Sequence, residues 1–139
     1  MSIPNESAIR PNAQPLSHAT LTAAGLMGLT VFIHVLMGGP EVHDPMLAST
    51  LPIGLKAFAS ILWHAVTVVL VVFTFALYSL ARKPNWQLEA TLGAIQLGFA
   101  ALFIGYGVIR LGTIWPMPQW IIFAGLPLLT RIGQRRAAH

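Results

Sequence analysis

Long intervals without a charged residue are the feature that most constrains the fold of this chain. Each interval holds at least 20 residues, the length that an α-helix needs to cross about 30 Å of hydrocarbon. The sequence therefore predicts an all-α integral membrane protein with four transmembrane helices. No Asp, Glu, Lys or Arg occurs between Arg10 and Glu41, between Lys56 and Arg82, between Glu89 and Arg110, or between Arg110 and Arg131.

The composition excludes several classes of protein. Of the 139 residues, 55% are hydrophobic and only 9% are charged, whereas soluble domains carry about 25% charged residues. The net charge of +4 comes from basic residues dispersed along the chain, which form no phosphate-tracking surface, so we expect no nucleic-acid partner. The chain has no cysteine, and this excludes thiolate metal sites, c-type haem attachment and thiol catalysis.

Turn-forming residues set the predicted helix limits at 17–38, 55–81, 88–110 and 116–132. Gly38, Gly39 and Pro40 are expected to end the first helix, and Pro127 to kink the fourth. Short connections favour an up-down four-helix bundle. We therefore divide the chain into a flexible cytoplasmic tail (1–16), a four-helix transmembrane domain (17–132) and a basic cytoplasmic tail (133–139).

The distribution of Lys and Arg predicts the orientation in the membrane. One side would hold six basic residues and the other only Lys56 and Arg110. Because basic residues stay on the cytoplasmic side, both termini are expected in the cytoplasm of a multi-pass inner-membrane protein. The connection that contains Glu41, His43 and Asp44 would then face the periplasm.

Polar side chains in membrane helices turn toward the protein interior because lipid offers them no partner. This rule predicts one interior face on each of the first three helices. On the first helix the face holds Met27, Thr30, His34 and Met37. On the second it holds Ser60, His64, Thr67, Thr74 and Tyr78. On the third it holds Gln96, Phe99, Phe103, Tyr106 and Arg110.

A second face of the third predicted helix carries small residues. Its members recur at steps of three and four, which permit close contact between helix backbones. The face is expected to pack against another helix, either of this chain or of a partner. It consists of Ala94, Gly98, Ala101 and Gly105.

Titratable groups are concentrated at the predicted periplasmic end. The first interpretation is a transition-metal site, since imidazole and carboxylate ligands suit Zn, Fe or Mn. Its ligands would be His34, His43 and His64, with Glu41 or Asp44 as a further ligand or hydrogen-bond acceptor. The spacing matches no standard metal motif.

Two other interpretations stay open. Haem b could lie between His34 and His64, with Arg110 pairing a propionate, because helix bundles hold cofactors between facing helices. Alternatively, the same side chains are purely structural: the histidines would hydrogen-bond neighbouring helices, and Asp44 or Glu41 would pair with a basic residue. In architecture, the histidine-bearing bundle resembles membrane b-type cytochromes and small anchor subunits of respiratory complexes. This resemblance assigns no role to any residue of this chain.

The sequence thus predicts a small, non-catalytic inner-membrane protein whose periplasmic histidine–carboxylate cluster binds a metal ion or haem b. The alternative is an accessory subunit without a cofactor, which packs against a larger membrane complex or a second copy of itself through the small-residue face. An enzyme is the third alternative. Ser60 and His64 lie one turn apart, as a nucleophile and a base would, but no acid is placed to orient the imidazole, so a hydrolytic triad is not expected.

Overall fold

A computed structural model of the chain describes residues 16–137. The predicted tail 1–16 lies almost wholly outside these residues, as does the end of the predicted tail 133–139. Every regular element between residues 16 and 137 is helical, which confirms the all-α prediction for this part of the chain. The α-helices are α1 (His18–Leu36), α2 (Asp44–Ala48), α3 (Ile53–Arg82), α4 (Trp86–Tyr106) and α5 (Gln119–Ala137).

Within residues 16–137, three helical stretches are long and apolar enough to cross a membrane: His18–Ala48, Ile53–Arg82 and Trp86–Leu111. They indicate a membrane protein. The predicted fourth span falls in α5, which is not among the three. The physical reason is charge, because Arg131, Arg135 and Arg136 all lie in the last two turns of this helix.

α1 ends at Leu36, close to the predicted limit of 38, but Gly38–Pro40 does not end the helical backbone. The backbone continues through a π-helical turn, Gly39–His43, directly into α2. Pro40 has no N–H to donate, and the wider turn accommodates this loss. The Glu41 N–H donates to the Met37 carbonyl at 3.2 Å, and the Asp44 N–H donates to the Gly39 carbonyl. The predicted periplasmic loop is therefore helical.

A second π-helical turn, Gly107–Leu111, extends α4. It ends at Gly112, whose φ of 68° is left-handed, a conformation that favours glycine. The backbone then returns to α5 past Gly107, where the Thr113 N–H donates to the Gly107 carbonyl at 3.2 Å. A Cβ at Gly107 would lie 3.0 Å from the Thr113 carbonyl oxygen, so this close return requires glycine.

The long helices pack as antiparallel neighbours. α1 packs mainly on α3, α4 on α5, and α1 on α5, whereas α3 and α4 contact each other sparsely. The Ser17 N–H donates to the Ala81 carbonyl at 3.0 Å, so the start of α1 meets the end of α3. Arg131 and Glu89 form an ion pair at 3.1 Å, so the start of α4 meets the end of α5.

The buried face of α3 differs from the predicted polar face. Its buried residues are apolar, and His64 and Tyr78 are exposed. Thr67 and Thr74 donate instead to carbonyls of their own helix at 3.2 and 2.9 Å. Because this satisfies the hydroxyls locally, they need no neighbouring helix. The buried residues of α3 are Leu70, Phe73, Leu77, Leu80 and Ala81.

Candidate functional site

Three of the predicted site histidines gather where α1, the first π-helical turn and α3 meet. The His34 ring stacks on the Trp63 indole with 4.0 Å between centroids and 20° between planes. The His43 ring lies nearly parallel to the same indole at 5.5 Å, and it meets His64 edge-on, also at 5.5 Å. We call these four residues the His–Trp cluster.

The π-helical turn explains how His43 reaches α3. His43 follows His34 by nine residues, and an uninterrupted α-helix, turning about 100° per residue, would place the two on opposite sides. A π-helical turn holds one residue more than an α-helical turn and so reverses about 100° of that rotation. His43 is thereby brought to the α3 side, where its Nε2 lies 3.2 Å from the Ser60 Oγ.

Gly38 permits the contact between α1 and the indole. A Cβ at Gly38 would lie 2.9 Å from the Trp63 Cη2, a distance that a real side chain does not tolerate. Nothing lies within 4 Å of the corresponding position at the adjacent Gly39. Packing against Trp63 therefore requires glycine at position 38, whereas position 39 has room for a larger side chain.

The ring nitrogens of the cluster meet few partners. His43 Nδ1 lies 3.8 Å from the Asp44 Oδ1, a contact that becomes an ion pair only if the histidine is protonated. His34 Nε2 is buried and has no hydrogen-bond partner among the described residues. The contacts of the cluster are therefore mainly ring faces and edges.

This arrangement does not support the predicted metal site. Within residues 16–137, no group of three or more His, Asp or Glu side chains is placed to hold a metal ion. A ligating imidazole presents its nitrogen in the ring plane, whereas His34 and His43 face the Trp63 indole. Glu41 and His64 are exposed. His34 and His43 are brought together by stacking on Trp63, and His64 meets His43 edge-on.

Arg110, the predicted charge partner, is not within ion-pair distance of Glu41 or Asp44 among the described side chains. It is exposed on the second π-helical turn and lines a cavity of about 400 Å³ with Tyr106, Phe103 and Met117. Haem ligation by His34 and His64 stays a prediction.

The small-residue face of α4 points away from the rest of the chain. Ala94, Gly98 and Ala101 are exposed and Gly105 is half-buried, and a Cβ added at either glycine would meet nothing within 4 Å. At 100° per residue, this face lies opposite the face with which α4 joins the core. That core-facing side holds Leu92, Gln96, Phe99, Ala100 and Phe103.

Trp63 is the member of the cluster that the sequence analysis did not predict. A usable signal was present in the sequence. Trp63 precedes the buried Leu70 by seven residues and follows Ser60 by three, so all three share one face of α3.

Comparison with known proteins identifies no relative: no protein-family model, no curated protein and no solved structure matches this chain.

Proposed function

We propose that this chain is a non-catalytic inner-membrane subunit that assembles with another membrane helix through the small-residue face of α4. The exposure of that face carries the proposal. Helices in lipid associate through close van der Waals contact between backbones, which small residues permit. No described part of this chain uses the close approach that Gly98 allows.

The shape of α4 around this face supports the proposal. Four large apolar residues, all exposed, flank the small residues. At 100° per residue they form a ridge on each side of a shallow groove. A helix with a complementary ridge would fill the groove and contact both walls. Ile95 and Leu102 form one ridge, and Leu97 and Ile104 form the other.

In the membrane we place the chain as an up-down bundle with α5 as its fourth crossing. The antiparallel contacts of α5 with α1 and α4 support this placement. The basic residues at the end of α5 would then lie in the cytoplasm beside Lys83. The His–Trp cluster would lie toward the periplasm.

Within this proposal the His–Trp cluster has a structural role. Its stacked rings hold the first π-helical turn against α3, with His43 contacting Ser60 at 3.2 Å. Aromatic pairs of this kind contribute about 0.5–1.5 kcal/mol beyond the area that they bury. The cluster thereby fixes the end of the first helical stretch.

The assembly surface is tested by placing a branched side chain in the groove. Gly98→Ile fills the space that a partner helix would occupy, and Gly25→Ile is the matched control, because Gly25 is also an exposed helical glycine with nothing within 4 Å. Membranes are solubilised in mild detergent and the particle mass is measured. We expect Gly98→Ile alone to reduce the mass to that of a single chain.

Two results would overturn the proposal. One is a wild-type protein that already has the mass of a single chain in membranes cross-linked before solubilisation. The other is a Gly98→Ile variant whose assembly is as large as that of Gly25→Ile.

A further inference from the structure

A buried amide lies in a cavity between α4 and α5, apart from the His–Trp cluster, and this cavity shares Ala94 and Leu97 with the groove of the small-residue face. The cavity measures about 400 Å³, within the range of small-molecule sites. Gln96 lines it and is only 1% exposed. Its Nε2 has no hydrogen-bond partner among the described residues. A donor buried in this way is unfavourable unless an acceptor reaches it.

The cavity walls define the chemistry of an occupant. Leu77, Leu92 and Leu97 provide apolar surface. Glu89 and Arg131 also line the cavity, but they pair with each other at 3.1 Å. Because these two charges neutralise each other, a charged molecule would find no counter-charge there. The walls therefore favour a neutral and largely apolar molecule.

The position of Gln96 and of the cavity opening along α4 indicates how such a molecule enters. Gln96 follows Glu89 by seven residues, or about 10 Å along the helix at 1.5 Å per residue. The cavity also borders Ala90, which is exposed on α4. If α4 crosses the bilayer, this opening faces hydrocarbon, so an occupant would arrive from the lipid phase.

We propose that this cavity binds a neutral, membrane-dissolved carbonyl compound, the chemical class that includes membrane quinones. The Gln96 side chain would turn to bring its buried Nε2 to the carbonyl oxygen, and the leucine side chains would cover the apolar body. Binding through this donor favours an oxidised quinone, whose carbonyl oxygens only accept, over the corresponding quinol, whose hydroxyl oxygens also accept but whose O–H groups would find no acceptor on the leucine walls.

The test uses the full chain in phosphatidylcholine nanodiscs and titrates decylubiquinone and its quinol by calorimetry. Gln96→Leu keeps the volume of the side chain and removes the donor. Gln87→Leu is the matched control, since Gln87 is exposed on the same helix. We expect the wild type and Gln87→Leu to bind the quinone more tightly than the quinol. Gln96→Leu should weaken quinone binding about tenfold.

A second variant and a second measurement keep the test decisive. Ala90→Phe fills the cavity opening and should also abolish binding. In the absence of quinone, Gln96→Leu should raise the melting temperature, because it removes the buried donor. Quinone binding that is unchanged in Gln96→Leu, equal affinity for quinone and quinol, or no binding by the wild type would each overturn the proposal. Although Ala94 and Leu97 line both the cavity and the assembly groove, Gln96 is buried outside the groove, so a failure of Gln96→Leu to change quinone binding is distinguishable from a failure of assembly.

Discussion

Gly133 of α5 lies so close to Thr20 of α1 that a Cβ at Gly133 would stand 2.5 Å from the Thr20 Oγ1. The Ser17 Oγ would be 2.6 Å from the same Cβ. Next to this contact, the Gln134 amide donates to the Thr20 Oγ1 at 3.1 Å and to the Leu80 carbonyl at 3.2 Å. One glycine and one amide thus join α1, α3 and α5 at a single point.

Gly133→Ala should destabilise the protein by about 1–3 kcal/mol, because the added methyl forces the α1–α5 contact apart. Gly125→Ala is the control on the same helix, where a Cβ meets nothing within 4 Å. It should be neutral or stabilising by up to about 1 kcal/mol, the helix-propensity difference. Denaturant unfolding in detergent measures both. Equal stability of the two variants would contradict the packing described here.

The sequence predicted the long helices because the cause is simple: uncharged intervals long enough to cross lipid stay helical. It did not predict that the helical backbone would continue past Pro40. A proline next to two glycines normally stops a helix, and only the π-helical turn, which depends on packing against α3, accommodates it. The predicted fourth span ends near the first of three arginines, whereas α5 continues through all of them and is not among the stretches apolar enough to cross a membrane.

The polar faces were predicted less well than the helices. The rule that polar groups turn inward assumes that they need a neighbouring helix, but Thr67 and Thr74 bond to their own backbone. Gln96, which was predicted on the interior face of its helix, is buried. His34, His43 and His64 lie near one another, but Trp63 decides how their rings lie, and no spacing motif of metal ligands would reveal that.

Replacing His34 by phenylalanine separates a stacking role from a ligand role. His34→Phe keeps a flat ring against Trp63 and removes the buried Nε2 that lacks a partner, so its free energy of unfolding should match or exceed that of the wild type. His34→Ala should lose about 1–3 kcal/mol. Elemental analysis and the visible spectrum of both variants provide the check. A stoichiometric metal or a Soret band lost in His34→Phe would show a ligand role instead.

The adjacent glycines at the end of α1 should respond differently to the same change. Gly38→Ala places a methyl against the tip of the Trp63 indole, and we expect a loss of about 1 kcal/mol or more as the stacking on His34 shifts. Gly39→Ala meets open space and should leave stability almost unchanged. Near-ultraviolet circular dichroism and thermal melts report both effects. A larger loss in Gly39→Ala than in Gly38→Ala would refute the assigned contact.

Single-cysteine labelling can establish the topology directly, since the chain has no native cysteine. In spheroplasts, a membrane-impermeant maleimide should label Glu41→Cys and Trp115→Cys. Lys83→Cys and Arg135→Cys should react only after the membrane is permeabilised. Labelling of residues 115 and 135 from the same side would show that α5 does not cross.

Site-specific photocross-linking from α4 in native membranes shows whether a partner helix occupies the groove. A photoreactive residue at Gly98 lies in the proposed groove, and one at Ile95 lies on the flanking ridge about 60° away. We predict a discrete protein adduct from position 98 and a weaker one from position 95. From Phe75, which is exposed on α3, we predict lipid adducts only. Lipid adducts alone at position 98 would show that no helix packs in the groove.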